Sequence, residues 1–272
     1  MVFYIMQRDI PNGLRRSIEE SVQKVRPEAR VLWLDIPFDK LKDLKISHDY
    51  LSAAIYARLL VQWVIPPDVD KVLYLDSDVV VLEDLAELWD SDVEEKTVLA
   101  VQDRTGWVSS RGGLSNYREL GIPADSKYFN SGVLLINLKK WRERNRSEQA
   151  FTYLNDYREI IQMEDQEALN AILFDDWGEL DFRWNWQIAW KPFRLGHQQA
   201  PPVRESVQKS LVHFTTAEKP WLPGCEYPER QYFFEYLKHT HWAGWTVPRS
   251  KEVLAQCRNL VGNARRLLYS RA

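Results

Sequence analysis

The chain has 272 residues but only two cysteines, Cys225 and Cys257, and no C-x-x-C spacing. One possible pair in a chain of this size is no disulfide framework, so cysteine usage favours a reducing compartment such as the cytoplasm. Long apolar runs are missing too: the opening "MVFYIMQRDI" meets its first charge at Arg8, too soon for the hydrophobic region of a secretion signal. No segment approaches the roughly 20 apolar residues of a membrane span. Charge of one sign is absent, with 36 Lys and Arg against 39 Asp and Glu for a formal net charge of -3. That balance offers no general attraction for nucleic acid, and an anionic ligand must be met by local cations. Internal repeats, low-complexity tracts and clear linkers are also lacking.

What is present is ordinary for a folded globular protein, with 45% hydrophobic and 28% charged residues. The exception is twelve tryptophans, several of them in "DFRWNWQIAWKPF". Aromatic faces pack against the C–H faces of sugars, and they equally serve as core.

Strand-like and helical stretches alternate from the start. "VFYIM" reads as a buried strand, followed by a helix from Asn12 to about Val25 with Leu14, Ile18, Val22 and Val25 on one face. "RVLWLDI" is a second strand, and "YLSAAIYARLLVQWVI" has helical periodicity up to Pro66-Pro67. "KVLYL", "TVLAVQD" and "SGVLLINL" are short, β-branched and bounded by polar residues, with helices at Leu138 to Trp141 and Glu164 to Phe174. This alternation predicts an α/β fold with a mostly parallel central sheet flanked by helices. From about Asp175 the period weakens, and irregular structure wrapped around the sheet is expected.

In "KVLYLDSDVVVL" the apolar run ends in Asp76 and Asp78, one residue apart. Ligands of open α/β sheets sit beyond the carboxyl ends of the strands, and an extended backbone would put both side chains on one side. Two close carboxylates stay ionised together most readily with a cation between them, so the pattern reads as half of a divalent metal site. An isolated Asp-x-Asp is more often a solvated turn.

Three later stretches change that balance: "YFNSGVLLINLKKW" (Tyr128 to Trp141), "MEDQEALNAIL" (Met163 to Leu173) and "LVHFTTAEKPW" (Leu211 to Trp221). In this order after the Asp-x-Asp, and with "AAIYARLLVQWVIP" before it, they resemble the retaining glycosyltransferases of family 8. That family includes glycogenin and the bacterial lipopolysaccharide galactosyl- and glucosyltransferases. The resemblance runs from Phe3 to Trp221 and implies a nucleotide-diphospho-sugar transferase fold of the GT-A type over residues 1–245. It implies transfer of a hexose from a UDP-sugar to a glycan or lipid-linked acceptor. It also implies that Asp76, Asp78 and His213 hold a divalent metal, for which two oxygen ligands and an imidazole suit manganese, or magnesium, better than calcium. Lys219 would reach the diphosphate. Arg58 and Asp103 match residues near the donor, although each also suits a surface salt bridge. Asn130 and Ser131 would line the sugar pocket, and Asp165 and Gln166 would bind sugar hydroxyls at the reacting centre.

Two departures stand out. The family normally opens with one more strand and helix, whose strand end holds uridine and ribose, and this chain begins at what resembles the second strand. Thr216 stands where the family usually has glycine, whose backbone can approach a phosphate closely. Two other readings compete: a haloacid-dehalogenase-like phosphohydrolase with Asp76 as nucleophile, and a catalytically silent carbohydrate-binding relative. In residues 246–272, Val253, Leu254, Cys257, Leu260, Val261, Ala264, Leu267 and Leu268 recur at helical spacing beside several arginines. Such a helix suits an anionic membrane surface or docking on the domain.

Overall fold

The computed structural model describes residues 1–41, 43–45, 53–188 and 208–251. The amphipathic helix expected within 246–272, and with it the division of the chain at 245, falls mostly outside the described residues. The chain opens with strand β1 (Val2–Gln7), helix α1 (Asn12–Val25) and strand β2 (Arg30–Asp35). The periodic stretch before Pro66 is a 3₁₀ segment, Ala53–Leu60, continued by the short helix α2 (Val61–Val64). Strands β3 (Lys71–Leu75) and β4 (Val79–Val81) flank the Asp-x-Asp, and α3 (Ala86–Trp89) follows. Two long strands come next, β5 (Val98–Trp107) and β6 (Lys127–Asn137), then helices α4 (Leu138–Glu143), α5 (Arg146–Asp156) and α6 (Glu164–Ile172). The remainder is short pieces: β7 (Trp177–Glu179), a 3₁₀ turn at Phe182–Asn185, β8 (Trp186–Gln187), β9 (Leu211–His213) and α7 (Arg230–Leu237).

The α/β class agrees with the sequence reading, but the pairing is mixed rather than mostly parallel. β1–β2, β5–β7 and β8–β9 are parallel, whereas β3–β6, β5–β6 and β4–β9 are antiparallel. The reason lies in β6, which sits between β3 and β5 in the order β3-β6-β5-β7 and runs against both. Continuous apolar runs report burial on two faces, not strand direction. Both faces are indeed covered. Leu134 and Ile136 of β6, with Val72 and Tyr74 of β3, pack toward the core shared with the 3₁₀ segment, α4, α5 and α6. Their alternates Val133, Leu135, Leu73 and Leu75 pack with Leu88, Trp184 and Leu211 on the other side.

β1 pairs with β2 and β3 with β6; among the described residues neither has a partner on its other edge. Both edges border one cavity of about 1700 Å³. The further strand–helix unit of the resemblance therefore has no counterpart at either edge among the described residues.

Leu134 is completely buried at the centre of this arrangement. Leu134→Ala should lower stability by about 3 kcal/mol, as deletion of buried leucine side chains typically does, read as a reduced urea midpoint with an unchanged slope.

Candidate active site

The Asp-x-Asp is a turn, not extended backbone: Val79 N–H donates to the Asp76 carbonyl at 3.2 Å. The two aspartates therefore come together because the turn spans two sheets. Asp76 N–H donates to the Gly132 carbonyl of β6 at 2.8 Å, and the Asp78 carbonyl accepts from Phe214 N–H, next to β9, at 3.0 Å. β4 pairs with β9 so that Val79 faces His213. His213, distant in sequence, is thereby set against both carboxylates. Its Nε2 lies 3.2 Å from Asp78 Oδ1 and 3.7 Å from Asp76 Oδ2. One ligand atom from each of the three residues falls within 4.8 Å of the others.

Two observations show that this group fits a cation. Asp78 Oδ1 is a buried oxygen with no hydrogen-bond partner, a costly state unless a positive charge meets it. Gly132 leaves the needed room, since a Cβ there would lie 2.1 Å from His213 Cε1 and 2.7 Å from Asp76 Oδ2. The other oxygen of Asp78 pairs with the Lys219 ammonium, which also donates to the Phe214 carbonyl. Burial opposes the charge of Asp78, but His213 and Lys219 outweigh it and hold the carboxyl below the ordinary carboxylate range.

Arg58 binds the site together from the 3₁₀ segment. Its Nη2 donates to Asp76 Oδ1 at 2.7 Å, its Nε lies 2.8 Å from Asp165 Oδ2, and Nη1 donates to the Ser131 carbonyl and to Ser131 Oγ. The guanidinium also stands 4.8 Å from the centre of the Tyr74 ring, whose hydroxyl donates to Asp76 Oδ1 at 2.9 Å. Burial disfavours the charge of Arg58; Asp165 and Asp76 reverse that effect and hold it protonated. Asp165 follows Glu164, which has a positive φ of 44° at the start of α6. Burial lifts the Asp165 carboxyl from 3.8 to about 6, with Arg58 pulling down and Asp76 pushing up.

The remaining candidates form the adjoining wall. Asp103 Oδ2 accepts from Asn130 Nδ2 at 3.0 Å and from Gln166 Nε2 at 3.4 Å, while its Oδ1 accepts from Thr105 N–H. Gln166 Oε1 accepts from Ser131 N–H at 3.0 Å and Asn130 Nδ2 at 3.2 Å. The structure thus joins all ten sequence-predicted positions into one network. Sequence reasoning missed the residues that hold it: Gly132, Tyr74, Asn170 and Asn185. Asn170 was findable, because it falls four residues after Gln166 on the same helix face. Its side chain bonds both the N–H and the carbonyl of Phe129, docking α6 on β6. Thr216 has no positive φ, so its backbone conformation does not require glycine.

The Glycosyl transferase family 8 profile matches residues 1–224. The chain belongs to that family. Family 8 relatives include general stress protein A of Bacillus subtilis strain 168, 30% identical over an alignment of 248 residues that covers 88% of this chain and 82% of that protein. The lipopolysaccharide 1,2-glucosyltransferase of Escherichia coli K12 is 27% identical over 255 residues, 93% of this chain and 73% of that protein. Other relatives are longer: this chain spans 25% of the glycosyltransferase GlyD of Streptococcus pneumoniae. The crystal structure of the galactosyltransferase LgtC with donor and acceptor sugar analogues superimposes with a TM-score of 0.76 at 26% identity, covering 91% of this chain and 87% of that one. This family 8 protein is accordingly a glycosyltransferase with the GT-A type fold, which sets aside the phosphohydrolase reading.

A proton on Asp165 is retained by the folded protein at a pH where the unfolded chain has released it. Between about pH 4 and pH 6 this group makes stability fall as pH rises. Asp165→Asn should remove that contribution, so the stability difference between variant and wild type should grow in the variant's favour from pH 4 to pH 6 in denaturant titrations.

Proposed function

We propose that this glycosyltransferase is metal-dependent and retaining, moving a hexose from a UDP-sugar to a glycan or lipid-linked acceptor. The observation that carries the reading is the convergence of Asp76, Asp78 and His213, with one unpartnered buried oxygen, on a cavity large enough for a nucleotide sugar. The oxygen-rich set with one imidazole suits manganese or magnesium. The chemistry such a site supplies is Lewis-acid stabilisation of the charge that grows on the departing diphosphate.

The chain's own residues do the rest. Lys219, already at Asp78, presents an ammonium to the phosphates as a point charge. Asp103, Asn130, Ser131 and Gln166 supply a pre-oriented set of acceptors and donors for sugar hydroxyls. Neither Gln166 nor Asp165 is placed to be a nucleophile. The amide oxygen of Gln166 already accepts two hydrogen bonds, and Asp165 is tied to Arg58. These contacts support substitution from the front face, in which the acceptor oxygen bonds to the anomeric carbon as the bond to the diphosphate breaks and the acceptor proton passes to the leaving phosphate. The relatives named for lipopolysaccharide transfer support a glycan or glycolipid acceptor. Few cysteines support a cytoplasmic site of action, and no described helix is long and apolar enough to cross a membrane.

Calorimetric titration with UDP, with and without manganese, tests the reading. Metal-dependent binding is expected; sugar binding without any UDP binding would instead point to a silent carbohydrate-binding relative. Asp76→Asn and Asp78→Asn should each reduce transfer by at least about 100-fold with an unchanged fold, and full activity in Asp78→Asn would overturn the metal assignment. Gly132→Ala, which drives a methyl group into His213 and Asp76, should abolish metal-dependent UDP binding.

A further inference from the structure

Asn185 has no place in the proposed chemistry, yet it is fully buried beside His213. Its hydrogen bonds, followed from an end whose chemistry is unambiguous, determine where the imidazole carries its proton. An ionised carboxylate only accepts hydrogen bonds. Asp103 Oδ2 lies 3.0 Å from one atom of the Asn130 amide, which must therefore be the NH₂ group. The other atom of that amide, the carbonyl oxygen, accepts from Gly132 N–H at 3.1 Å, which fixes the same orientation independently. That oxygen lies 2.8 Å from Asn185, so Asn185 turns its own NH₂ toward Asn130. The Asn185 carbonyl oxygen is left facing His213 Nδ1 at 3.0 Å. A carbonyl oxygen accepts, so Nδ1 carries the proton. In the neutral ring Nε2 is then a lone pair, aimed at Asp78 Oδ1 and Asp76 Oδ2.

From this chain we infer that Asn185 is a positioning residue, holding His213 in the tautomer whose Nε2 is free to ligate a divalent cation. The inference deepens the metal-dependent reading and rests on it for its purpose, though the tautomer itself stands on the hydrogen bonds alone. Asp103 and Asn130 gain a second task alongside sugar binding: they set the direction of each amide in the relay. Outer partners of metal-ligating histidines commonly work this way, and their loss typically weakens metal binding by roughly 10- to 100-fold.

The test begins with the unaltered protein. Nitrogen-15 NMR of the metal-free chain at mildly alkaline pH should show the His213 ring with its proton on Nδ1; a proton on Nε2 would overturn the inference with no variant needed. Asn185→Ala should move the ring toward the Nε2–H form and weaken manganese binding, measured by electron paramagnetic resonance, by roughly 10- to 100-fold. A variant that keeps both the Nδ1–H form and wild-type affinity would also overturn it. Asn185→Ser, smaller but able to accept from Nδ1 through its hydroxyl, is expected to regain part of the affinity. Failure of the underlying reading looks different: the wild-type ring shows Nδ1–H, but manganese does not bind.

Discussion

One buried cation holds the site together. Arg58 is 5% exposed, and taking a guanidinium out of water costs several kcal/mol unless carboxylates and hydrogen bonds compensate it. Here Asp76 at the end of β3 and Asp165 at the start of α6 supply the carboxylates, and Ser131 of β6 adds two oxygens. Three elements remote in sequence are thus obliged to meet at one guanidinium. The planar, forked donor set of arginine is what allows this, since lysine presents a single point charge. Sharing one cation between two acids also separates their chemistry: Asp76 keeps its second oxygen toward His213, while Asp165 is buried deeply enough that its carboxyl rises to about 6.

A second constraint lies in β6, where apolar and polar stretches meet. Residues from Val133 to Ile136 are completely buried and anchor the sheet. One step earlier, Asn130, Ser131 and Gly132 replace packing with hydrogen bonds, yet they are buried as well. Buried polar groups of this kind are tolerated only when satisfied, and here each is satisfied by another member of the site. Gly132 keeps the imidazole and Asp76 within reach of the strand. The candidate site is therefore a polar seam cut into an otherwise apolar core. Its rigidity follows from the same hydrogen bonds that define its geometry.

Much of this was legible in advance, for identifiable reasons. β1, α1, β2, β3 and α6 fall close to their expected places because apolar periodicity is local. Eight of the ten site positions came from four ordered motifs, in which polar residues interrupt or end an apolar run, and Arg58 and Asp103 came from the stretches "AAIYARLL" and "LAVQDR". The reading erred where geometry is non-local. Asp76 and Asp78 converge through a turn joining two sheets, not through the alternation of an extended strand. The run before Pro66 folds largely as a 3₁₀ segment, since periodicity over so few residues does not separate the two helix types. Asn185 lay in a Trp-rich stretch read as irregular, and nothing in its neighbours points to His213.

The amino-acid sequence by itself determined the α/β class, the elements that form it and the residue types gathered at the site, because burial and chain stiffness act between near neighbours. Tertiary structure alone decided the directions of the strands, the sharing of Arg58 between two acids and the proton position on His213. Those depend on which backbone edges and side chains meet across gaps of many residues, such as the 137-residue separation of Asp76 and His213, and no local pattern encodes such a meeting.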